Sequence, residues 1–189
     1  MMSSWTRQVQ VRLGFRLPVI MRDVLLLSAV AGIAFGLTIP FLTLMARDEG
    51  VSLRAIGIMA SSYLVAQMLL QMPFGALSDR IGRATPIALG FAVEGIASAG
   101  FVLADSAPAF IGLRVAQGVA LALIMPATRA LIADTTPLHQ RGQAYAWFIA
   151  CFSGGLLLGP TIGGALAGPL GRNPLFLLSA VMNLSLIHI

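Results

Sequence analysis

Gly75-Ala76-Leu77-Ser78-Asp79-Arg80-Ile81-Gly82-Arg83 lies between two long apolar stretches and gathers two glycines, a carboxylate and two arginines into one short segment. Hydrocarbon offers no water to a turning backbone, so apolar runs flanking such a segment cross a membrane as helices and the charged turn lies outside it. The composition agrees. The chain is 58% hydrophobic and 10% charged, with a mean hydropathy of +0.90, whereas about a quarter of residues are charged in ordinary soluble domains. An all-α integral membrane protein is expected.

Six apolar runs can be read along the chain, over residues 24–44, 56–77, 85–104, 109–132, 144–167 and from 174 to 183 onward, the last cut short by the chain end. A helix rising 1.5 Å per residue needs about 20 residues to cross about 30 Å of hydrocarbon. All twelve basic residues are arginine. Arg7, Arg12, Arg16, Arg22, Arg80, Arg83, Arg129 and Arg141 fall on one side of the implied membrane, Arg47, Arg54 and Arg172 on the other, and Arg114 within a span. Basic residues in short loops stay in the cytoplasm, which places the N-terminus inside. Residues 1–23 form the cytoplasmic N-terminal segment, and its stretch 5–22 reads either as an amphipathic helix on the anionic leaflet or as a solvated tail.

The net charge of +5 and pI near 11.0 do not indicate nucleic acid, because the arginines are spread over membrane-flanking loops. The first apolar run is too long for a cleavable signal peptide. The single Cys151 excludes an intrachain disulfide, and its apolar surroundings give no reason to expect thiol chemistry. One cysteine and two unrelated histidines do not make a metal site, and no cofactor is expected. An intramembrane serine protease needs a nucleophile with a base on another helix. Here Ser153 lacks a G-x-S-G setting, His139 is in a loop and His188 is in the final segment. Glycine patterns on membrane helices also argue against nucleotide binding. Residues 184–189, Leu-Ser-Leu-Ile-His-Ile, match one translation frame of a transposon end used in preparing sequencing libraries, so the natural sequence is expected to diverge after Asn183; a genuine apolar tail is the alternative.

The Gly75–Arg83 turn resembles the loop between the second and third spans of the major facilitator superfamily, with Ala84 where a further basic residue usually follows. Two more patterns resemble the same family: Arg114-Val-Ala-Gln117-Gly118 in the fourth run and Gly155-x-x-x-Gly159-Pro160-x-x-Gly163-Gly164 in the fifth. The resemblance implies the N-terminal six-helix bundle of a facilitator, built from two inverted three-helix repeats with the sixth helix incomplete, whose C-terminal bundle is missing. The two halves show no obvious residue-level repeat. The implied function is secondary active transport by alternating access, with proton-coupled export of drugs or small metabolites across a bacterial inner membrane. The partners would be a small-molecule substrate, protons and the lipid bilayer. An uptake symporter or uniporter of the same fold, or a non-transporting six-helix membrane partner, are the alternatives.

Individual residues acquire roles on this reading. Asp79 would latch the outward-facing state by meeting a helix N-terminus of the other bundle, with Gly75, Arg80 and Gly82 completing the turn and Arg83 pairing with Asp134. Arg114 lies about 8 Å from its helix end at 1.5 Å per residue and either snorkels to the interface or acts in proton coupling with Glu94. Glu94 is the only acid well inside a span, where an unpartnered carboxylate is costly. It could pair directly with Arg114 or be a packing residue. Tyr63, Gln67 and Gln71 recur every four residues on one helix face. With Gln117 they would line the substrate cavity, or else join helices by hydrogen bonds. Gly155, Gly159 and Gly163 clear a face for a neighbouring helix, and Pro160 bends it. Together with Gly164 they make up the antiporter-type pattern.

Overall fold

A computed structural model describes residues 19–188, and among these residues every regular element is helical. The helices are α1 (Val19–Asp48), α2 (Leu53–Ile81), α3 (Ala84–Gly100), α4 (Ala107–Thr135), α5 (Arg141–Leu170) and α6 (Asn173–Ser185). Single 3₁₀ turns extend α3 over Phe101–Leu103 and α6 over Leu186–His188. Five helices are long and apolar enough to cross a membrane, and Asn173–His188 is a shorter apolar helix. The protein is a multi-pass, all-α membrane fold.

Five helices outrun their apolar runs, while the third run, 85–104, ends one residue past the 3₁₀ turn that extends α3, at Ala104, which is extended. The 30 residues of α1 reach about 45 Å at 1.5 Å per residue, the thickness of a bilayer with its headgroups. α1 therefore takes in residues 19–23, which the apolar count leaves to the N-terminal segment. A helix loses nothing by continuing into the headgroup layer, because its backbone bonds stay internal. Residues 1–18, which hold most of the amphipathic stretch, lie outside the described residues.

Local chemistry sets the turns. Ser52 caps α2, its hydroxyl accepting from the Ala55 N–H at 3.3 Å. Prolines open α4 and α6 in the first turn, where a missing N–H costs nothing. Glycines in a left-handed conformation close α2 and α5: Gly82 has φ 88° and Gly171 φ 78°.

The most extensive packing is between α1 and α5 and between α2 and α4; α3 packs on α4 and α6, and α6 on α1. Exchanging α1 with α4, α2 with α5 and α3 with α6 converts the first pair into the second and returns α3–α6 to itself. Successive spans alternate in direction, so the two three-helix halves are inverted copies. Phe101 anchors the core at one end, 6.0 Å from Phe110 and 5.7 Å from Phe176, beside Leu42, Met45 and Ala46. Met21, Val24, Ile132, Ala144 and Phe148 fill the opposite end. Beyond Asn183 the chain stays packed, with Leu186 buried among Ile87, Phe91 and Ile124. Large apolar side chains such as Met68, Met72 and Leu157 point outward, as expected of surfaces that meet lipid or another bundle rather than water.

Candidate functional site

A polar chain crosses the interior from α3 to α2. Glu94 on α3 is 4% exposed and Gln117 on α4 is 2% exposed. The Gln117 amide donates to Glu94 Oε1 at 2.7 Å, while its own Oε1 accepts from Arg114 Nη1 at 2.9 Å. The spacing explains the second bond, since residues three apart share a helix face. The Arg114 guanidinium then lies 4.9 Å from the centre of the Tyr63 ring on α2, within cation–π range. Tyr63 leans in turn on Phe35 of α1, their ring centres 5.8 Å apart.

The direct Glu94–Arg114 pairing considered from sequence is replaced by this relay. Gln117, read there as a cavity residue, spends both ends of its amide on the two charged groups and is buried. Arg114 does not simply reach for the interface: it is held by Gln117 and Tyr63, and its buried Nε has no hydrogen-bond partner among the described residues. On the Tyr63 stripe, Gln67 is half-buried and Gln71 exposed, and both stand outside the chain. Gly118 explains the close approach of α2 and α4, because a Cβ there would lie 2.9 Å from the Ala66 Cβ and collide with the Tyr63 carbonyl.

On its other side Glu94 borders a pocket reached by Ser28, Phe35, Phe91, Thr128, Phe152 and Asn183. The Thr128 hydroxyl is buried there without a hydrogen-bond partner among the described residues. Neither Phe35 nor Thr128 carries a sequence signal that separates it from core residues.

Arg83 joins three elements. Its Nε donates to Asp134 Oδ2 at 2.9 Å at the end of α4, and its Nη1 donates to the Ser78 hydroxyl at 2.9 Å and to Asp79 on α2. The hydrogen bonds of Asp79 and then of Asp134 hold the Arg83 guanidinium above its already high proton affinity. Asp79 and Asp134 stay largely exposed, and Arg80 is exposed. Gly75 faces the Pro126 side chain, where a Cβ would lie 3.5 Å away, an ordinary contact. Ser78, which sequence reasoning passed over, is the buried member of the group.

The fifth-span glycines face α1. A Cβ on Gly155 would strike the Ala29 carbonyl, and one on Gly163 would lie 2.9 Å from the Leu37 oxygen. The matching clearance on α1 comes from Gly32 and Gly36, which sequence reasoning missed although their spacing of four is the small-residue signal. Gly164, grouped with these glycines from sequence, has nothing within 4 Å of its would-be Cβ, because it points away from α1. Among the described residues no three His, Cys, Asp or Glu side chains gather to hold a metal ion.

The family model described as Major Facilitator Superfamily matches residues 24–189. The quinolone resistance protein NorA of Staphylococcus aureus is 28% identical over 162 residues, which are 82% of this chain and 42% of that protein. Multidrug resistance protein 2 of Bacillus subtilis is 32% identical over 152 residues, 80% of this chain and 38% of that protein. The chain thus spans less than half the length of these relatives.

Proposed function

Given that the chain belongs to the Major Facilitator Superfamily, we propose that it forms the N-terminal bundle of a secondary active transporter that exports drugs or small metabolites in exchange for protons. The Glu94–Gln117–Arg114 relay, buried at Glu94 and Gln117 and half-buried at Arg114, carries this reading. A carboxylate and a guanidinium deep in an apolar bundle are expensive, and a neutral amide between them lets their interaction change as the carboxylate gains or loses a proton. The Gly155–Gly164 pattern supports export, and a drug cargo is in keeping with relatives named for quinolone resistance and multidrug resistance. In this scheme the Arg83 cluster lies on the cytoplasmic face of a bacterial inner membrane, with Asp79, paired to Arg83 yet largely exposed, within reach of the second bundle, and Tyr63, Gln67 and Gln71 border the substrate path.

The test is transport by the full-length protein in liposomes carrying an imposed proton gradient, followed with a fluorescent amphiphilic drug. Export that follows the gradient and collapses with a protonophore is expected. Gradient-independent flux would make the protein a uniporter, and inward concentrative flux a symporter. No flux from a correctly inserted full-length protein would leave a non-transporting membrane partner.

A further inference from the structure

The turn that closes α5 repeats the turn that closes α2. Gly164-Ala165-Leu166-Ala167-Gly168-Pro169-Leu170-Gly171-Arg172 carries the glycines, alanine, leucine and arginine of Gly75, Ala76, Leu77, Gly82 and Arg83 at the same offsets. The residue-level repeat not seen between the halves is therefore present over these segments. The backbone repeats as well: Gly82 has φ 88° and ψ 165°, and Gly171 has φ 78° and ψ 179°, a conformation that L side chains rarely adopt. Each arginine then reaches across to the other three-helix half. Arg83 pairs with Asp134 at the end of α4, and Arg172 pairs with Asp48 at the end of α1. Each aspartate follows an internal helix proline by the same interval, Asp48 after Pro40 and Asp134 after Pro126.

Because the inverted repeat exchanges α1 with α4 and α2 with α5, the two ion pairs are one arrangement occurring at both ends of the bundle. We propose that the Arg172–Asp48 pair is a clasp that positions the final turns of α1, on the face opposite the Arg83 cluster. Pro40 removes a backbone hydrogen bond and weakens α1 at its own position. The segment beyond it is held by the packing of Leu42, Met45 and Ala46 and, at its tip, by Arg172. The copies differ where Ser78, Asp79 and Arg80 are replaced by Ala167, Gly168 and Pro169. Arg83 has two carboxylates and a hydroxyl; Arg172 has one carboxylate and is more exposed, 39% against 22%. The Arg172 clasp is the looser of the two and releases first. This inference does not depend on cargo or on coupling to protons, and it is read by labelling rather than by transport.

The experiment places a cysteine at Ala46, which is fully buried beside the clasp, in full-length protein with Cys151→Ser, and measures its reaction with a membrane-impermeant maleimide. Asp48→Asn and Arg172→Gln should each raise the labelling rate about two- to fivefold, the effect expected of a partly exposed ion pair. The reversed pair, Asp48→Arg with Arg172→Asp, should return it toward the parent rate. A cysteine at buried Ile132, at the opposite end, should label no faster in any variant. Unchanged labelling at position 46, acceleration without rescue by the reversed pair, or parallel acceleration at position 132 would each overturn the clasp.

Discussion

Gly159 on α5 and Gly36 on α1 pass so closely that a Cβ on Gly159 would lie 2.6 Å from the Gly36 Cα. Backbone meets backbone along this seam, so no side chain can move aside to admit a larger residue. Gly159→Val should therefore cost more than the roughly 1–3 kcal/mol of ordinary overpacking and abolish the folded protein. Gly164→Ala, in open space, should be tolerated. Thermal unfolding of the two variants in detergent decides this; equal stability would mean that the helices are not held at this spacing.

Glu94→Gln keeps the size of the side chain and an oxygen to accept from Gln117, but removes the titrating group. Protein yield and melting temperature should change little, while gradient-driven flux in the full-length protein should vanish. Retained coupling would reduce Glu94 to a packing residue, the alternative already open from its sequence.

Tyr63 offers Arg114 the face of its ring, and among the described residues no hydrogen bond from its hydroxyl takes part. Tyr63→Phe should preserve transport. Tyr63→Ala should lower it about tenfold, equivalent to about 1.4 kcal/mol of lost positioning from a desolvated cation–π contact. Equal loss in both variants would point to the hydroxyl instead.

The Arg83 cluster should respond to salt and not to alkali. A guanidinium whose folded proton affinity is raised contributes stability that is complete below its unfolded titration and is lost only as pH rises through its folded one, far above neutrality. Between about pH 6 and pH 9 the charge on Arg83 is constant. Raising ionic strength screens exposed partners such as Asp79 and Asp134 and should increase spin-label mobility at the α2–α3 turn. A loss of order on going from pH 6 to pH 9 at fixed salt would contradict this.

The fold was largely legible in the sequence because hydrocarbon forces a single solution on long apolar runs. The six helices follow from the apolar runs, and the meeting of Arg83 with Asp134, now seen at 2.9 Å, was implied by the family resemblance of the Gly75–Arg83 turn. What stayed hidden depends on helix rotation, which small apolar residues record weakly. Gly32 and Gly36 look like any glycines until α5 is laid against them. Glu94 and Arg114 are close in sequence order, but only the turn of α4 reveals that Gln117 stands between them. The Gly164–Arg172 repeat was concealed by the loss of its polar middle, where Gly168 and Pro169 replace the charged residues that make the Gly75–Arg83 turn conspicuous.

The bundle is mechanically uneven. α1 and α5 are joined along a glycine seam and α2 and α4 by their own close crossing at Gly118, whereas α1 touches α4 sparingly and α5 touches α4 as little. Two stiff slabs therefore face each other, strapped by α3 and α6, and the softest direction is the one that spreads them. The pocket beside Glu94 is bordered by α1 and α5 on one hand and α4 on the other. Glu94 lines this pocket as well, so squeezing the slabs together would narrow the space beside the carboxylate.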